Sequence, residues 1–177
     1  MKWVLILSPL LVGIAAAVLF VCIAGTMISR THKASRSLRL KQPPRAVWAT
    51  ITDFANVPAW RSTIARYERL PDQDGKPVWK EVGKGMNADG MPLRVVEQQA
   101  PSRMITGIAD DALPFGGTWT WELSPADGGC VLRITEDGFI KPAPFRYVSK
   151  IMGYDATIRA YLTDLARKYG EPAAIME

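Results

Sequence analysis

Two carboxylates stand where an apolar residue would be expected. In 130–136, Cys130, Leu132 and Ile134 alternate with Arg133 and Thr135, so a strand there turns the first three inward and puts Glu136 next in the same line. Asp155 falls at the edge of the apolar stripe of 145–169, close in angle to Val148 and Leu162. Such a group either reaches water at the end of its element or lines a cavity and orients a ligand; a bulge near Asp137 and Gly138 would turn Glu136 outward instead. If both carboxylates faced one chamber, at least one would titrate above the ordinary range. Other reactive groups are scarce. His32 is the only histidine and lies among basic residues beside an apolar N-terminus, while Cys22 falls in that apolar segment and Cys130 in a strand. Imidazole chemistry is thus excluded from the folded domain, no disulfide is expected, and no His/Cys set or Asp/Glu loop cluster suits a metal. No catalytic residue, metal or cofactor is assigned.

The elements that must position these groups follow from periodicity. Over 145–169, Tyr147, Val148, Ile151, Tyr154, Ile158, Tyr161, Leu162, Leu165 and Tyr169 share one stripe, with Lys150, Thr157, Asp164 and Lys168 outside it, which predicts one long amphipathic helix. Upstream the period is two. Strands are predicted at 37–41, 64–70, 76–83, 92–99, 103–109, 116–124 and 130–139, separated by hairpin-length turns such as those around Gly75, Gly90, Gly117 and Gly128, so the sheet is antiparallel. Pro43-Pro44 opens a short helix carrying Val47, Trp48, Ile51 and Phe54, and Asn56 opens a second. In 118–123, Trp119, Trp121 and Leu123 take the inner face and Thr118, Thr120 and Glu122 the outer one.

Residues 3–28 carry no charge, long enough as a helix for a ~30 Å hydrocarbon layer, and a cleavable signal peptide fits less well because no small-x-small site precedes Arg30. Of the 22 Lys and Arg in the chain, seven lie in residues 1–45, which hold no Asp or Glu; the remainder is close to neutral, which argues against a nucleic-acid partner. Arg30, Lys33, Arg36, Arg39 and Lys41 follow the apolar run and only Lys2 precedes it, so the positive-inside rule predicts a single-pass cell-membrane protein with its C-terminal domain in the cytoplasm. The basic stretch 30–45 sets topology and can also meet anionic lipid.

The order strand, two short helices, six strands, long helix resembles the helix-grip fold of the START/Bet v 1-like (SRPBCC) superfamily, which includes polyketide cyclase/dehydrase and lipid-transport domains. The resemblance is carried by PPRAVWATITDFANVPAW (43–60), LPFGGTWTWEL (113–123), GGCVLRITEDGFI (128–140) and the segment 141–171. It implies an α+β fold in which a seven-stranded curved antiparallel sheet grips the C-terminal helix around a hydrophobic cavity. The expected organisation is a transmembrane anchor at 1–29, a basic linker at 30–36, the domain at 37–171 and a frayed tail at 172–177. The expected cavity wall is Trp60, Trp79, Phe115, Trp119, Trp121, Glu136, Phe139, Tyr147, Ile151, Tyr154, Asp155 and Ile158, although core filling is the alternative for every aromatic among them. Three functions stay open: a membrane-anchored binder or carrier of a hydrophobic small molecule (lipid, isoprenoid or polyketide-like), a cyclase/aromatase-like enzyme using a cavity carboxylate, and a solidly packed interaction domain at the membrane.

Overall fold

The computed structural model describes residues 2–85 and 89–177, with side chains from residue 9 onward. The turn expected around Gly90 lies in part outside them. A helix α1 (Lys2–Thr26) precedes β1 (Thr31–Leu40), α2 (Pro44–Thr52) and a 3-10 helix (Phe54–Ala59). Then come β2 (Ile64–Gln73), β3 (Lys76–Gly83), β4 (Met91–Gln99), β5 (Arg103–Ile108), β6 (Phe115–Ala126) and β7 (Gly129–Ile140), followed by α3 (Ala143–Met152), α4 (Ala156–Lys168) and β8 (Ile175–Met176). The strands form one antiparallel sheet in the order β2-β3-β4-β5-β6-β7-β1-β8. Hairpins build the meander from β2 to β7, and β1 closes it by pairing along the whole of β7, from Thr31 opposite Phe139 to Leu40 opposite Cys130.

Register sorts the inner face into rows. Leu38, Leu132 and Leu123 lie side by side; the next row holds Arg36, Ile134, Trp121 and Met104, the next Ala34, Glu136, Trp119 and Thr106, and the last His32, Gly138 and Gly117. The inner face therefore grades from aliphatic to polar along the strands. Helix α4 covers the aliphatic end: Ile158, Tyr161, Leu162, Leu165 and Ala166 are buried in one cluster with Leu38, Leu132 and Ile134, and α2 adds Val47, Trp48 and Ile51. Burial of each large aliphatic side chain contributes about 1.5–3 kcal/mol.

Four expectations need correction. The basic linker at 30–36 is strand from Thr31 onward, and the Arg30 carbonyl already accepts from Ile140 N (2.8 Å), so α1 runs into the sheet almost without slack. Two of the basic residues expected to face lipid serve the domain itself, Arg36 beside Asp155 and Arg39 donating to the Asp127 carbonyl. The tail expected to fray contributes an eighth strand, with Ile175 opposite Leu38. The single helix 145–169 is two helices: Gly153, at φ +85, occupies a backbone region that costs a side chain strain, and the chain turns there before α4 restarts.

Candidate functional site at the helix break

The turn between α3 and α4 places the start of α4 over the polar rows of the sheet. Glu136 receives three side chains there. Trp119 donates Nε1–H to Oε2 (2.9 Å), Thr157 donates its hydroxyl to the same oxygen (3.2 Å), and His32 Nε2 lies 3.0 Å from Oε1. A carboxylate oxygen accepts, so His32 donates from Nε2 in that third bond. Ala34, directly opposite Glu136 on β1, is small enough to leave room for this gathering. The imidazole also stacks on Tyr154 (4.3 Å between centroids, 13° between planes), and a side chain at Gly138 would collide with it. The exclusion of imidazole from the domain is thus overturned. His32 was hidden in the sequence by its basic neighbours, and only the pairing of β1 with β7 brings it to Glu136.

Asp155 is held differently. Its Oδ2 lies 2.8 Å from Arg36 Nε, a contact of charge without an aligned hydrogen bond, and it accepts from Arg159 one turn along α4. Partial burial alone would raise its carboxyl, but the Arg159 hydrogen bond and the charges of Arg36 and Arg159 outweigh it and hold the group below the usual carboxylate range. The expected raised carboxylate is therefore not Asp155. It locks the break rather than facing a shared chamber with Glu136.

A second group adjoins the first across Trp121. Trp121 donates to Thr106 Oγ1 (3.3 Å) and meets the Tyr161 ring edge-on (4.7 Å), while Trp60 packs on another side of Tyr161 (5.2 Å) and the Arg61 guanidinium lies over its face (4.4 Å). Tyr67 donates to Glu81 nearby. Burial foremost raises the Tyr161 and Tyr67 phenols well above their ordinary value, so both stay neutral at any physiological pH. Beneath them Asp164, 3% exposed, accepts from Ser62 N (2.8 Å) and Ser62 Oγ (3.0 Å) and pairs with Arg167. Periodicity had placed Asp164 outside the buried stripe.

Of the expected cavity wall, Trp119, Trp121, Glu136 and Tyr154 meet at this band, with Ile158 and Trp60 buried below it. The others do not join. Trp79 stacks on Phe54 (5.5 Å) at the β3 side of the sheet, and Phe115 is 39% exposed at the start of β6. Phe139 has the outer parity of β7, its ring lying against the position a Gly116 side chain would take. Tyr147 meets Phe20 of α1 (5.8 Å) and Ile151 is 69% exposed, so neither faces the sheet. Trp119, Trp121, Tyr154 and Glu136 are each only partly buried. Two open grooves among the described residues lie elsewhere, one of about 500 Å³ between α1 and α3 and one of about 490 Å³ between Pro43, Arg45 and Pro101. Among the described residues, no group of three or more His, Cys, Asp or Glu is placed to hold a metal ion.

The fold is shared with solved structures at low sequence identity. A START superfamily protein from Mycobacterium smegmatis superposes with a TM-score of 0.63 at 16% identity, over 77% of this chain and 96% of that one. Norcoclaurine synthase from Thalictrum flavum gives 0.62 at 12%, over 85% and 92%. The di-domain ARO/CYC BexL gives 0.63 at 12%, over 77% of this chain, which spans about half (49%) of that protein. Among curated proteins, none matches the sequence. A family model described as polyketide cyclase / dehydrase and lipid transport matches residues 31–170, beginning at the first residue of β1 and including His32. The chain belongs to that family, the START/Bet v 1-like domains with a helix-grip fold.

Proposed function

We propose that this chain binds a hydrophobic small molecule of the lipid, isoprenoid or polyketide-like class against the half-open inner face of the sheet. In this reading α1 holds the domain on the cytoplasmic side of the membrane in which such molecules dissolve. The observation that carries it is the partial exposure of Trp119 and Trp121 on an inner face, next to a carboxylate already oriented by three donors. Indole faces supply apolar contact area, and Glu136, His32 and Tyr154 supply the few polar points that orient a guest. Family membership supports the ligand class, and the length and apolarity of α1 support the anchor. Native mass spectrometry of the full chain released from lipid nanodiscs tests this. One hydrophobic adduct per chain is expected, with its occupancy lowered in Trp119→Ala; an adduct-free wild-type chain contradicts the reading.

A second reading is favoured by one contact, the 3.0 Å pairing of His32 Nε2 with Glu136 Oε1. A carboxylate–imidazole pair can take a proton from carbon and return it, which is the chemistry needed to enolise a β-dicarbonyl chain. Its test is hydrogen–deuterium exchange at the central carbon of benzoylacetone. Acceleration by the wild type that falls at least about tenfold in Glu136→Gln supports it; equal rates with and without protein dismiss it.

A further inference from the structure

Helix α3 carries an outer face without a protein partner among the described residues. Phe145, Val148, Ile151 and Met152 are 58%, 45%, 69% and 70% exposed, and with Pro144 they fill an arc of roughly 120° that contains no polar side chain. The neighbouring arc is occupied by α1. Ala143 packs so closely on Gly25 that a side chain there would overlap its carbonyl, Tyr147 meets Phe20 edge-on at 5.8 Å, and Ile151 lines a groove with Ala24, Met27 and Ile28. The exposed apolar face of α3 is thus continuous with the exposed apolar surface of α1, where Val18, Leu19, Phe20 and Ile23 are 55–60% exposed.

We infer that α3 is an interfacial helix that seats its Phe145–Val148–Ile151–Met152 face in the lipid bilayer beside α1. The inference rests on the reading of α1 as a membrane span. Depth supports it: α3 touches α1 from Phe20 to Gly25, within the last ~10 Å of that helix, and an interfacial helix lies ~5–10 Å into the headgroup and acyl boundary. Charge agrees as well: Lys150 is exposed on the α1 side of α3, beside Met27 and Ile28, within reach of phosphate groups at that level. A second copy of the chain is the competing occupant, but a protein interface would not need to continue along the exposed residues of α1. Seated this way, the turn at Gly153 and the open band at Glu136 and Trp119 adjoin the bilayer surface, and a lipid-soluble guest passes between them without crossing water.

The test uses the wild-type full chain, so no variant has to fold. The protein is reconstituted in phosphatidylcholine–phosphatidylglycerol vesicles containing a phosphatidylcholine with a diazirine in its acyl chain, irradiated, digested and mapped by mass spectrometry. Label at Phe145, Val148, Ile151 or Met152 at least about tenfold above that at Thr163 and Lys168 on α4, together with label in α1, is expected. Label in α1 alone overturns the inference and leaves the span standing. Label in neither helix overturns both.

Discussion

Helices α3 and α4 come from one stretch whose apolar stripe runs unbroken from Tyr147 to Tyr169, yet they meet different surroundings. The stripe of α4 is buried against the sheet, and its exposed positions Thr157, Arg159, Thr163, Arg167 and Lys168 are all polar. Helix α3 gives one side to α1 and leaves Phe145, Val148, Ile151 and Met152 uncovered. An amphipathic pattern states that a helix needs cover, but it does not say whether sheet, helix or lipid provides it.

The largest effect expected from this contrast is on stability. Leu162→Ala, at a site with no exposure, should cost about 2–5 kcal/mol, whereas Ile151→Ala should cost under about 0.5 kcal/mol, both read as thermal unfolding of the full chain in a mild detergent. Equal losses would mean that α3 packs in the core as α4 does. Next comes Asp164→Ala. It strands Arg61 and the Ser62 donors beneath α4 and should cost on the order of 3 kcal/mol in the same assay, although Asp164 lies off the apolar stripe.

Smaller effects concern the turn that separates the two helices. Gly153→Ala places a side chain at φ +85 and 3.0 Å from Asp155 Oδ1, and a loss of about 1–2 kcal/mol is expected. A neutral or stabilising result would argue for one continuous helix. The smallest effect is a pH dependence. Because Arg159 and Arg36 lower the Asp155 carboxyl against the opposing effect of burial, its contribution is complete above the ordinary carboxylate value of about 4 and is lost as pH falls through the lowered folded-state value. Asp155→Asn should therefore be less stable than the parent at neutral pH, with the gap closing in acid. A gap that stays constant down to acid unfolding would remove Asp155 from the lock.

Much of this was legible in the residues. Alternation in 116–124 and 130–139 placed Trp119, Trp121 and Glu136 on the inner face, and the element order matched the family's fold. What was missed depended on distant partners. The strand character of 31–36 rests on pairing with β7, a hundred residues away, and its polar composition carries little alternation to announce it. His32 therefore read as a flanking basic residue. Gly153 followed by Asp155 was a visible stop and start signal within the apolar stripe, but a continuous stripe outweighs one glycine when periodicity alone is read. Tyr147 and Ile151 were assigned to the sheet for the same reason, since only the packing of α1 on α3 reveals their neighbour.

The central claim is that a hydrophobic guest sits on the half-open band beside the helix break and not in the packed interior beneath α4. Fluorine NMR of the full chain with its six tryptophans replaced biosynthetically by fluorotryptophan, titrated with palmitate in nanodiscs, tests it most directly. The Trp119 and Trp121 resonances should shift and saturate while those of buried Trp48 and Trp60 stay in place. Resonances that all remain still, or a Trp48 shift as large as that of Trp119, would contradict it.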